Sequence, residues 1–151
     1  MTGWGAVFTV RCDCGAEAEQ DVGQAVRDGR LCWDSEFHCR ACGAAACLGF
    51  DAGDAPPWVR GPLIAEHGTV RLRLADPDTG RIPILKTLLE TWDLSLTQAM
   101  LLSEQLAGDG LPGTLPEAEW LREQLAARRV RTEIVPGAAT DDADFPWATG
   151  C

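Results

Sequence analysis

The chain has 151 residues, 46% of them hydrophobic, which is the makeup of one ordinary globular domain or two small ones. Its formal charge is −10, with 5 basic against 9 acidic residues up to Gly61 and 8 against 14 beyond, so both halves repel phosphate backbones and general nucleic-acid binding is disfavoured. No apolar run approaches the roughly 20 residues that cross a bilayer, and "MTGWGAVFTV" lacks a basic n-region; the expected location is cytoplasmic, where seven cysteines read as metal ligands or free thiols.

In chain order, Val7 to Arg11 alternate as a strand and run into Cys12, Cys14 and Gly15 of "CDCG". "DVGQAVRDG" is predicted to be a short helix capped by Asp21 and stopped at Gly29. "FHCRACG" then repeats the first pattern, with a strand residue at Phe37, thiols at Cys39 and Cys42, and Gly43 to let backbone amides point at sulfur. Two such knuckles bring four thiolates to one tetrahedral zinc, a closed structural site. His38 points opposite to Cys39 in an alternating strand and reads as a surface residue. Cys32 and Cys47 fall outside the knuckle spacing and are expected to be small buried hydrophobes. Arg11 and Arg40 beside the ligands are candidates to screen the site's net double negative charge. This arrangement resembles the zinc-ribbon family, and residues 1–50 are assigned to it.

Residues 51–68, "DAGDAPPWVRGPLIAEHG", are rich in Pro and Gly without periodicity and read as a linker. Val70, Leu72 and Leu74 alternate with Arg71 and Arg73 as a half-buried strand, and "DPDTG" turns the chain. A helix is predicted over 81–92, where Ile82, Leu85, Leu88, Leu89 and Trp92 recur at helical spacing. Ser95 with Gln98 makes a capping box for a second helix from Leu96 to before Gly108. Thr114 with Glu117 makes another, for a third helix with Ala118, Leu121 and Leu125 inward. Val130, Thr132 and Ile134 alternate as a closing strand.

This order, with "RIPILK", "DLSLTQAM" and "GTLPEAEWLREQL", resembles the C-terminal domain of the bacterial ribosomal stalk protein over residues 69–135. The expected class is therefore α+β, a small zinc ribbon followed by three helices on a three-stranded antiparallel sheet whose middle strand lies near "LPGT". The resemblance implies a surface on the first two helices that recruits translation factors. Of its cations only Arg81 and Lys86 remain, with Leu89, Thr97 and Met100 where the others belong. Arg129 stands where that family ends its third helix on glycine, so a different closure is expected there. Met100 and Trp120, off the core stripe, mark either a docking face or a surface covered by the linker or ribbon.

Residues 136–151 have little to pack and are expected to be a disordered acidic and aromatic tail, in which Phe145 and Trp147 form a candidate binding segment. Cys151 is a candidate for modification. With no nucleophile elbow, phosphate loop or paired-histidine motif, the expected function is a non-enzymatic, zinc-stabilised adaptor for a protein partner, in translation or regulation. Two alternatives stand beside it: a recognition leader conjugated through Cys151, and a thiol enzyme using Cys32 with His38.

Overall fold

The computed structural model describes residues 3–52 and 54–137, so Phe145, Trp147, Cys151 and the tail reading lie outside the described residues. The fold is α+β, with two antiparallel sheets and four helices among those residues. The first sheet is a meander of β1 (Gly3–Arg11), β2 (Glu17–Arg27), β3 (Arg30–His38) and β4 (Ala45–Ala52). Residues 21–29, predicted helical, instead belong to β2 and its turn. Ala18, Gln20, Val22, Gln24 and Val26 are all buried at a period of two, and Asp28 and Gly29 take φ of 51° and 73°. Those two left-handed residues make a tight hairpin closed by Arg27 opposite Arg30, so Asp-Gly ends a strand here and not a helix.

The segment read as a linker also changes. Pro57–His67 forms α1, with Pro57 in its first turn, where the missing N–H costs nothing. Val59 and Leu63 are buried against Ala6 and Val22, flanked by Trp4, Phe8 and Trp33. His67 stacks on Trp4 with ring centroids 4.6 Å apart, and its Nε2 lies 2.8 Å from the Gly5 carbonyl oxygen. Part of the apolar core of the N-terminal sheet is thus supplied from residues expected to lie outside it.

From Val70 onward the expected elements are present: β5 (Val70–Leu74), α2 (Arg81–Thr91), α3 (Leu96–Ala107), β6 (Leu111–Gly113), α4 (Leu115–Ala126) and β7 (Thr132–Pro136). The three strands are antiparallel in the order β6-β5-β7, so the short strand at "LPGT" comes second along the chain but lies at the edge of the sheet, with β5 in the middle. Both predicted capping boxes form, at Ser95 with Gln98 and at Thr114 with Glu117. Leu72, Leu88, Leu102, Leu106, Leu121 and Leu125 fill one core, joined by Ile84, Ala118 and Val130. Arg129 does not force a different helix ending. It takes φ of 62°, the conformation a glycine would give, and Val130 N–H reaches back to the Leu125 carbonyl at 3.0 Å.

A buried polar cluster ties the two sheets' units together. Arg60 of α1 donates to both carboxylate oxygens of Glu117 at 2.8 to 3.1 Å, and both side chains are nearly inaccessible. Gln24 of β2 donates to Glu117 at 3.4 Å and accepts from the Thr114 hydroxyl at 2.5 Å. The same Glu117 accepts from the Thr114 backbone N–H at 2.8 Å, so one carboxylate caps α4 and neutralises a cation from another element.

Candidate metal centre

Two hairpin ends build the site. After β1 the Gly15 N–H donates to the Cys12 carbonyl and the Cys12 N–H to Ala16, each at 2.9 Å; after β3 the Gly43 N–H donates to Cys39 at 2.9 Å and the Cys39 N–H to Ala44 at 2.8 Å. Gly15 at φ 90° and Gly43 at φ 75° let these turns curl around their thiols, a shape that strains any residue with a Cβ. Because β1 and β3 both pair with β2, their ends arrive side by side.

The Sγ atoms of Cys12, Cys14, Cys39 and Cys42 all lie within 4.8 Å of one another. Cys12 to Cys42 and Cys14 to Cys39 are each 3.7 Å apart. A tetrahedron with metal–sulfur bonds of about 2.3 Å has edges of about 3.8 Å, so these thiols stand at the spacing of one four-coordinate ion. The donor set fits a thiophilic ion and leaves no coordination position for substrate. All four predicted ligands are brought together.

Burial divides them. Cys12 and Cys39 pack with Ala18, Val10, Ala16 and Phe37 in a small apolar cluster, whereas Cys14 and Cys42 face solvent. The thiols differ as acids too. The backbone N–H of Cys42 is the largest influence holding Cys39 down at about 7, against the opposing effect of burial. At Cys12 the backbone N–H of Cys14 pulls downward, but burial and the thiols of Cys14, Cys42 and Cys39 push it up to about 12. Four thiols so close share their protons, and an arriving cation displaces them.

The other sequence candidates lie elsewhere. His38 is exposed, as expected. Arg11 is exposed, and Arg40 sits 4.0 Å from the Glu19 carboxylate. Cys47, expected to be buried, is exposed on β4, where it pairs with Glu36 on the open face of the sheet; Cys32 is half-buried. Cys32 and His38 are six residues apart along β3, about 20 Å, too far to act as a thiol–imidazole pair. Arg81 and Lys86 are exposed on α2, and Met100 is 36% exposed on α3. Trp120 is half-buried: its Nε1 donates to the Gly29 carbonyl at 3.1 Å, and its ring meets Trp92 edge-on at 6.0 Å.

Exposed apolar residues on α2 and α3 were only partly foreseen. Ile82 is 69% exposed, and Leu89, Leu96 and Leu101 also reach solvent, while Ile84, Thr87 and Leu88 turn inward. The available signal was that "IPILKTLL" is apolar on more sides than one core face can use. Among the described residues, no helix is long and apolar enough to cross a membrane. Compared with family models, curated proteins and solved structures, the chain finds no match.

Proposed function

We propose that this chain is a zinc-stabilised adaptor of the cytoplasm, a non-enzymatic module that presents a docking surface to a protein partner. The observation that carries this reading is the closed set of four sulfurs at Cys12, Cys14, Cys39 and Cys42, which suits holding a fold together better than turning over a substrate. Zinc is the ion named because four thiolates at tetrahedral spacing are its usual structural environment; iron is the principal competitor. The docking surface is assigned to α2 and α3, where Ile82, Leu89, Leu96, Met100 and Leu101 are exposed beside Arg81 and Lys86. The resemblance to the ribosomal stalk domain makes the ribosome or its translation factors the first partners to test, with an apolar surface in place of most of the basic one.

Native mass spectrometry of protein made without added metal tests the centre. One zinc per chain, lost in Cys39→Ser, is expected; a metal-free chain, or one iron with visible absorption, overturns the zinc assignment. Retention of ribosomes or elongation factors by the wild-type chain, abolished by Leu89→Glu with Met100→Glu, is expected for the adaptor. Equal retention by the variant removes the docking surface from α2 and α3.

A further inference from the structure

At one end of that surface, α2 and the loop after α4 border a shallow, open groove of about 330 Å³ lined by Ile82, Pro83, Lys86, Ala127, Arg128 and Arg129. Half of the lining is cationic, in a chain with 13 basic and 23 acidic residues. Arg128 is engaged by Glu90, whereas Lys86 and Arg129 show no ion pair among the described residues. The remaining lining is apolar, and Ile82 is the most exposed large hydrophobic residue of the described chain. A site of this make-up fits an acidic segment carrying an aromatic or proline.

Arg129 adds a separate observation. A non-glycine residue at φ 62° is unfavourable, and glycine would close α4 with the same backbone hydrogen bonds at no such cost. The fold tolerates that strain and gains a cation on the groove's rim.

We propose that the occupant is the chain's own stretch 141–147, "DDADFPW", with its aspartates against Lys86 and Arg129 and Phe145 or Trp147 on Ile82 and Pro83. Reach permits it. Gly137 is pinned at the far end of the second sheet, its N–H donating to the Thr69 carbonyl at 2.9 Å. The way back runs along β7, an edge strand of five residues or about 17 Å, and ends at the loop holding Arg128 and Arg129. The ten residues after Gly137, up to Trp147, extend to about 33 Å, enough for that return and a turn. Local charge favours the pairing, since the three aspartates of the segment would face a lining that carries Lys86, Arg128 and Arg129. Docked there, the segment covers one end of α2 and competes with any partner of that helix. This regulatory consequence rests on the adaptor reading, whereas docking itself does not.

The test uses the full chain labelled with 5-fluorotryptophan, the resonance of Trp147 being assigned with Trp147→Phe. At low salt that resonance is expected away from the position of a solvent-exposed indole. It should move toward that position in about 1 M salt, where the screening length is about 3 Å, and in Lys86→Glu with Arg129→Glu. Arg129→Gly should release Trp147 in part while raising Tm, which separates loss of docking from loss of fold. A solvent-exposed position in the wild type at low salt, or one unmoved by the double charge reversal, overturns the proposal. A position that changes on dilution over about two orders of magnitude assigns the contact to a second copy and also overturns it. Because no partner is present, failure here leaves the adaptor reading intact, and failure to find a partner leaves this one intact.

Discussion

The C-terminal unit gathers Leu72, Leu88, Leu102, Leu106, Leu121 and Leu125 into one continuous apolar cluster. The N-terminal sheet instead splits its apolar contacts between a patch where Ala6 and Val22 meet Val59 and Leu63 of α1, and a three-residue cluster at its far end. Two of those three are the thiols Cys12 and Cys39. The first unit is held by area removed from water, while the thiol end of the second has almost no such area and depends on what the thiols bind. A metal therefore suits the place where the sheet's inner face runs out of helix, and the buried Arg60–Glu117 pair stands where the two modes of stabilisation meet.

The largest expected effect breaks the metal side of this contrast. Structural zinc contributes on the order of 10 kcal/mol in small metal-dependent domains. Cys39→Ser should therefore abolish hydrogen-exchange protection in β1 through β4 while α3 and α4, in the other cluster, keep theirs. Protection lost equally in both units would show that they unfold as one and that the contrast has no thermodynamic meaning.

Next in size is the junction. Glu117→Gln keeps a side chain able to cap α4 but leaves Arg60 buried beside a neutral partner, a change that typically costs about 3–5 kcal/mol. Denaturant unfolding should show that loss, and Arg60→Met combined with Glu117→Gln should recover part of it, since no unpaired charge then remains. A loss below about 1 kcal/mol would mean that the pair is hydrated and that the two units are barely coupled. Ser95→Ala, which removes a cap whose hydroxyl accepts from Gln98 N–H at 3.1 Å, should cost about 1 kcal/mol. Exchange rates at the cysteine knuckles should not respond, as the cap touches only the C-terminal unit.

What could be read from the chain follows the range of the interactions involved. Both capping boxes and the outline of the C-terminal unit were legible because Ser95 with Gln98 and Thr114 with Glu117 act within one helical turn. The four ligands were legible because each knuckle repeats a local pattern of thiols before glycine. By contrast, β2 hid its alternation by placing Gln20 and Gln24 inward, where Gln20 meets Ser35 and Gln24 meets Glu117. No polar residue announces that it will be satisfied by a partner far along the chain. The helix α1 was hidden by Pro57, Gly61 and Pro62, whose low propensity is overridden by burying Val59 and Leu63 on a sheet the local sequence does not contain. Arg60 gave no sign of its partner 57 residues away.

The smallest effect sharpens the junction and has a sign that can be fixed. Asp54 is half-buried just before α1, and burial, with the Glu117 charge added, raises its carboxyl above the ordinary 3.8, partly offset by Arg60. Below 3.8 the folded and unfolded chains both hold this proton, and Asp54 behaves like an amide. As pH climbs past 3.8 the unfolded chain releases the proton first, so the native state loses stability until the pH passes the folded value, after which the loss is constant. Asp54→Asn should therefore be nearly neutral in acid and stabilising at pH 7. The gain should stay under about 1 kcal/mol because the group is partly screened by solvent. The difference between the two unfolding curves should open only as pH rises through the carboxylate range. A variant less stable than wild type at pH 7 would mean that Asp54 serves Arg60 as a second counter-ion, and would move the balance of charge at the junction from Glu117 alone to the pair of carboxylates.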